Sequence, residues 1–147
     1  MALLCSMVAG AVEIEPGVSQ KLAEQRRAAV GNLCYDLKFR IPASRKEKVT
    51  GSAVIKFTYK KCGDDLQLDF QGADGQYGSV VTVNGKKRRA EWRSEHIILK
   101  ESWLKNGENA VDVAFTSGDK SLNRNDDYLY TLFVPDHARS VFPCFDQ

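Results

Sequence analysis

Few residues in this chain have the types and spacing that chemistry requires. Two histidines, His96 and His137, stand far apart in sequence. Neither belongs to H-E-x-x-H, whose spacing puts two imidazoles on one helix face to grip zinc. His96 opens the apolar run "HIIL" and reads as a structural residue rather than a ligand. No G-x-S-x-G elbow, P-loop or paired-carboxylate pattern is present. "GADGQYG" carries Gly72, Gly75 and Gly78, but not in G-x-G-x-x-G order and with no helix pattern after it. It reads as a loop between strands. "NRNDD", Asn123 to Asp127, gathers oxygen ligands that could suit calcium, yet it lacks the glycine and distal glutamate of an EF-hand loop. An ordinary polar loop is the simpler reading.

"GKKRRAEWR", Gly85 to Arg93, is the one dense basic patch, with Trp92 inside it. Cations beside an aromatic can bind nucleic acid. The run follows a hairpin signal, however, where lysine and arginine commonly protect an exposed strand edge. The net charge of the whole chain is only +2. A solvated edge is therefore expected, and no nucleic-acid partner. The four cysteines, Cys5, Cys34, Cys62 and Cys144, form no CxxC pair. That removes a zinc knuckle or thioredoxin-type motif. One disulfide of unspecified pairing would fit an exported protein; buried free thiols are the plainer expectation.

With 147 residues, 43% hydrophobic and 27% charged, the chain suits one globular domain; such a domain buries roughly 68–70% of its unfolded surface. Residues 1–16 form an apolar leader too short to span a membrane, which needs about 20 residues. Ala9-Gly10-Ala11 has the A-x-A form of a signal-peptidase site, although the basic n-region is missing. A signal remnant, implying a secreted or periplasmic protein, stands beside a disordered or weakly packed apolar leader. Residues 17–147 are then the domain. Gly17 to Asn32 predicts one helix, packed through Leu22 and Val30 and stopped at Gly31-Asn32.

After it the apolar period drops to two. "LCYDLKFRI" places Leu33, Tyr35, Leu37, Phe39 and Ile41 on one face, and Pro42 ends it. "VTGSAVIKFTY" does the same with Val49, Gly51, Ala53, Ile55, Phe57 and Tyr59. "LQLDF", "HIIL", "NAVDVAF" and "YLYTLF" supply further strands, and Asn84-Gly85 marks a tight hairpin. The prediction is an all-β fold: an antiparallel β-sandwich with one short N-terminal helix.

At its end the chain reads "YLYTLFVPDHARSVFPCFDQ". This resembles the aminopeptidase N family of zinc metallopeptidases, the gluzincins, whose saddle-like N-terminal domain closes with T-Q-x-E-P-x-x-A-R-x-x-F-P-C-x-D-E-P. Thr131, Pro135, Ala138, Arg139, Phe142, Pro143, Cys144 and Asp146 match that pattern. "LQLDFQG", "VTVNGK" and "LKNGENAVDVAF" resemble strand phrases of the same domain in the same order. The resemblance implies that Thr131 to Asp146 joins this domain to a thermolysin-like catalytic domain of the same polypeptide. That domain would carry H-E-x-x-H, a glutamate as third zinc ligand and the peptide substrate. This chain would hold no catalytic residue, metal or cofactor itself, zinc being implied only for the parent.

One departure stands out. In the family pattern the Gln and Glu after the threonine reach the active site, and the carboxylate holds the substrate's terminal ammonium. Here those positions are Leu132 and Val134, which accept no hydrogen bond. The resemblance thus implies a non-catalytic domain that walls the substrate cleft, with Leu132 and Val134 lining it. A free-standing β-sandwich module binding glycans or a protein partner remains the other reading, since sandwich folds host many functions.

Overall fold

The computed structural model describes residues 11–72 and 80–146. Cys5, Ala9, Gly10, Gly75, Gly78 and Gln147 lie outside the described residues. The first element is α1, Gln20–Ala29. The Ser19 side chain caps it, accepting from the Leu22 N–H at 3.3 Å. Good helix formers sustain it for ten residues. The sequence predicts a helix that continues through Val30 to a stop at Gly31-Asn32. Instead β1, Val30–Arg40, begins directly after Ala29, and Val30 and Gly31 already pair with Tyr59 and Thr58 of the next strand. Ladder bonds with a long neighbouring strand outweigh one more helical turn.

Among the described residues ten strands follow α1, all antiparallel to their partners. β2 is Thr50–Tyr59, β3 Leu66–Asp69, β4 Val80–Val83, β5 Lys86–Arg89, β6 Glu91–Arg93 and β7 His96–Leu99; β8 is Gly107–Thr116, β9 Leu122–Arg124 and β10 Leu129–Thr131. One sheet has the order β1-β2-β8-β4-β5, a second the order β3-β7-β6, and β9 and β10 form a small ribbon. The all-β prediction holds. Asn84 and Gly85, both at positive φ (49° and 77°), turn β4 into β5 as the Asn-Gly signal requires.

The two larger sheets share one core. From the first come Ala53, Ile55, Phe57, Val81, Val83, Val111, Val113 and Phe115; from the second Leu66, Leu68, Phe70, Ile97 and Leu99. Phe70 and Phe115 meet edge-on at 6.0 Å between ring centroids, one from each sheet. Gly51 is required where β2 passes close beneath its neighbours: a Cβ there would lie 2.4 Å from the Lys38 carbonyl and 2.6 Å from the Phe115 ring.

Two expectations need correcting. β1 alternates as predicted, but only Tyr35 and Leu37 are half-buried; Leu33, Phe39 and Ile41 are exposed. β1 is the outermost strand of its sheet, so the ends of its apolar face overhang the core. The thiols also differ from the expected buried set. Cys34 and Cys62 are exposed, and only Cys144 is buried, all three being free.

Candidate functional site

The segment Thr131 to Asp146 divides into an exposed half and a buried half. Tyr128, Tyr130, Leu132 and Val134 alternate along the chain and point the same way, 59%, 55%, 62% and 72% exposed. Tyr128 and Tyr130 stack at 6.3 Å. Thr131 and Phe133 point the other way and are half-buried. Pro135, joined to Val134 by a cis peptide bond, is exposed and turns the chain.

From Ala138 the segment runs into the domain. A single 3-10 turn, Ala138–Ser140, buries Arg139, whose Nη2 donates to Asp136 Oδ2 at 2.6 Å. The Arg139 N–H donates to Asp146 Oδ2 at 3.0 Å, drawing the middle of the motif to its end. The Arg139 carbonyl accepts from the Gln71 N–H at 2.8 Å. Phe142 sits among Tyr35, Phe39 and Phe133, with ring centroids 6.3, 6.2 and 5.8 Å away. Pro143 is buried beside it. Cys144 then pairs with Asp69 as a one-residue strand: Asp69 N–H donates to the Cys144 carbonyl at 2.8 Å, and Cys144 N–H returns a bond at 3.0 Å. Burial pushes the Cys144 thiol well above its ordinary range, and the carboxylates of Asp146 and Asp69 add to the effect.

Asp69 anchors this end of the chain. Its Oδ2 accepts from the Asp146 N–H at 2.9 Å and from Arg26 Nη1 at 2.8 Å, while Oδ1 lies 2.5 Å from Arg26 Nη2 and 2.7 Å from His96 Nδ1. Both Asp69 and His96 are fully buried. Burial disfavours the charge on Asp69, but the hydrogen bonds from His96 and Arg26, and the guanidinium's charge, outweigh it and hold the carboxyl below its ordinary range. His96 Nε2 lies 2.9 Å from the Glu15 carbonyl, so the N-terminal segment meets the same group. Tyr35 Oη accepts from the Phe145 N–H at 2.9 Å, and Phe145 lies under the Arg26 guanidinium at 5.4 Å. Burial raises the Tyr35 phenol strongly.

The structure thus brings Arg139, Phe142, Pro143, Cys144 and Asp146 together, and sets Leu132 and Val134 apart on the surface. Sequence reasoning missed Arg26, Asp69 and Tyr35. "LQLDF" reads as a strand with one buried face, yet Gln67 and Asp69 on its polar face are as buried as Leu66 and Leu68. α1 and the terminal segment cover that second face. Beside Phe145 a groove of about 580 Å³ opens, with Val30, Leu33, Arg26 and Arg27 in its walls. Chemically the cluster immobilises two ends of the chain; its ionisable groups are spent on one another.

Fold and site together define an all-β sandwich whose terminal segment is built into its own core. No family model and no curated protein matches the chain. Among solved structures it is similar to native leukotriene A4 hydrolase from Saccharomyces cerevisiae, with a TM-score of 0.63 and 21% identity. The match covers 82% of this chain and 22% of that one. At that identity the likeness is one of fold, and the chain spans about a fifth of the neighbour's length.

Proposed function

We propose that this chain is the non-catalytic N-terminal β domain of a zinc aminopeptidase-like metallopeptidase. It packs on the catalytic domain of the same polypeptide and helps to wall the cleft that takes the peptide substrate. The observation that carries this reading is the fold shared with leukotriene A4 hydrolase, found for a chain whose terminal segment resembles the family's motif. The exposed row from Tyr128 to Val134 supports it. Four large apolar side chains in alternation on one surface are what a domain contact leaves uncovered when its partner is absent. The leader supports export, to the periplasm or outside the cell.

Among the described residues no three His, Cys, Asp or Glu side chains come together to hold a metal ion. The zinc implied by the resemblance would belong to the catalytic domain. Among the same residues, no helix is long and apolar enough to cross a membrane.

Reading the coding sequence beyond Gln147 tests this directly. The expected continuation contains H-E-x-x-H and a downstream glutamate; a continuation without them overturns the reading. In such a parent, Leu132→Gln with Val134→Glu should lower KM for free-amine peptides. An unchanged kcat/KM would place these two residues away from the substrate.

A further inference from the structure

Among the described residues, the segment from Lys86 to Arg93 forms the open edges of both larger sheets in succession. β5 is the last strand of the first sheet, and after the buried Ala90 the chain crosses over to β6, the last strand of the second. These eight positions hold five cations, Lys86, Lys87, Arg88, Arg89 and Arg93, against the single Glu91, in a chain whose net charge is +2. Arg93 lies 3.5 Å from Glu91. Among the described residues, Lys86, Lys87, Arg88 and Arg89 make no ion pair. Arg88 is laid over Trp103 at 5.9 Å, which keeps it with the core.

The backbone of this edge is equally unmatched. Beside a two-residue turn the flanking residues exchange hydrogen bonds, so Val83 bonds Lys86 and Val81 bonds Arg88. Lys87 and Arg89 therefore turn their N–H and C=O groups away from β4, and among the described residues neither group meets another backbone partner. Their side chains lie on the solvent face and are exposed. Along that face the row Lys87–Thr82–Asp112 reaches an acid two strands away, and among the described residues it makes no ion pair with either cation.

We infer that the open edge of β5 binds an extended acidic peptide segment by strand addition. The segment's backbone pairs with Lys87 and Arg89, and its carboxylates at alternate positions meet their side chains. Edge pairing supplies main-chain hydrogen bonds while alternate side chains supply selectivity, and lateral neighbours of opposite charge favour each other. Nucleic acid fits less well. Binding single strands needs aromatic faces for stacking, whereas Trp92 is half-buried against the core and donates its indole N–H to the Phe70 carbonyl at 2.9 Å. This edge is at the far side of its sheet from β1.

The test is fluorescence anisotropy at low salt with this chain and three labelled probes. The first is a peptide of alternating glutamate and valine, about eight residues long and so able to span the edge. The second carries the same glutamates with proline at every valine position, and cannot pair as a strand. The third is an oligothymidylate. The alternating peptide is expected to bind at least about tenfold more tightly than the other two, and to be released by salt. Lys87→Glu with Arg89→Glu should abolish its binding. Both residues are exposed, so the fold should persist, as thermal melting would show; Lys87→Gln with Arg89→Gln serves if it does not. No binding by the alternating peptide would mean that the charges only guard the edge against aggregation, and would overturn the inference. Equal binding of the proline peptide, tighter binding of the oligonucleotide, or indifference to the charge changes would overturn it too.

Discussion

Arg26 Nη2 and Asp69 Oδ1 meet at 2.5 Å, with the two side chains 1% and 0% exposed. One lies in the helix that opens the domain, the other in a strand held by the segment that closes it. Removing one partner leaves the other charge buried without compensation. Arg26→Met and Asp69→Asn should therefore each destabilise the domain by about 3 kcal/mol or more. The double variant should lose less than the two together, because the residues share one network. Urea unfolding of the four proteins measures this; strict additivity would mean that the pair is not coupled.

Asp69 also predicts the acid behaviour. Its folded pKa lies below the ordinary value of 3.8 because the hydrogen bonds from His96 and Arg26 overcome the effect of burial. A lowered folded pKa means that the contribution to stability is complete above the ordinary value and is lost as pH falls through the folded one. The stability gap between the native protein and Asp69→Asn should stay constant above roughly pH 5 and narrow below pH 4. A gap that widens in acid would show that the Asp69 carboxylate is not the form that folding favours.

The thiols should divide by burial. Cys34 and Cys62 are exposed and should react with a maleimide in the folded protein. Cys144, 4% exposed and with its ionisation pushed up, should react only once denaturant opens the domain. Peptide mapping after timed labelling distinguishes them, and equal rates at Cys144 and Cys34 would show that the terminal segment is not docked as described.

Leu132 and Val134 make the opposite prediction to the core positions. Both are more than three-fifths exposed, so Leu132→Gln and Val134→Glu should change the stability of this chain by no more than about 0.5 kcal/mol each. A loss of several kcal/mol in thermal or urea unfolding would mean that these side chains are covered by the domain itself.

Much of the fold was legible because alternation and turn chemistry are local. Ala53, Ile55, Phe57 and Tyr59 in β2, and Val111, Val113 and Phe115 in β8, are buried as their period of two requires. Asn84-Gly85 turned where its tolerance of positive φ allowed. The amino-acid order by itself also determined the motif from Thr131 to Asp146 and the concentration of cations from Lys86 to Arg93.

Only the tertiary structure decided what those features touch. Sequence could not place Arg26 against Asp69, because the two are 43 residues apart and no spacing rule links a helix to a strand at that distance. The polar face of "LQLDF" became interior because α1 and the terminal segment close over it. The apolar face of "LCYDLKFRI" stayed partly in solvent because β1 has no strand beyond it. Burial is a property of what lies opposite a residue, and a local pattern cannot contain it.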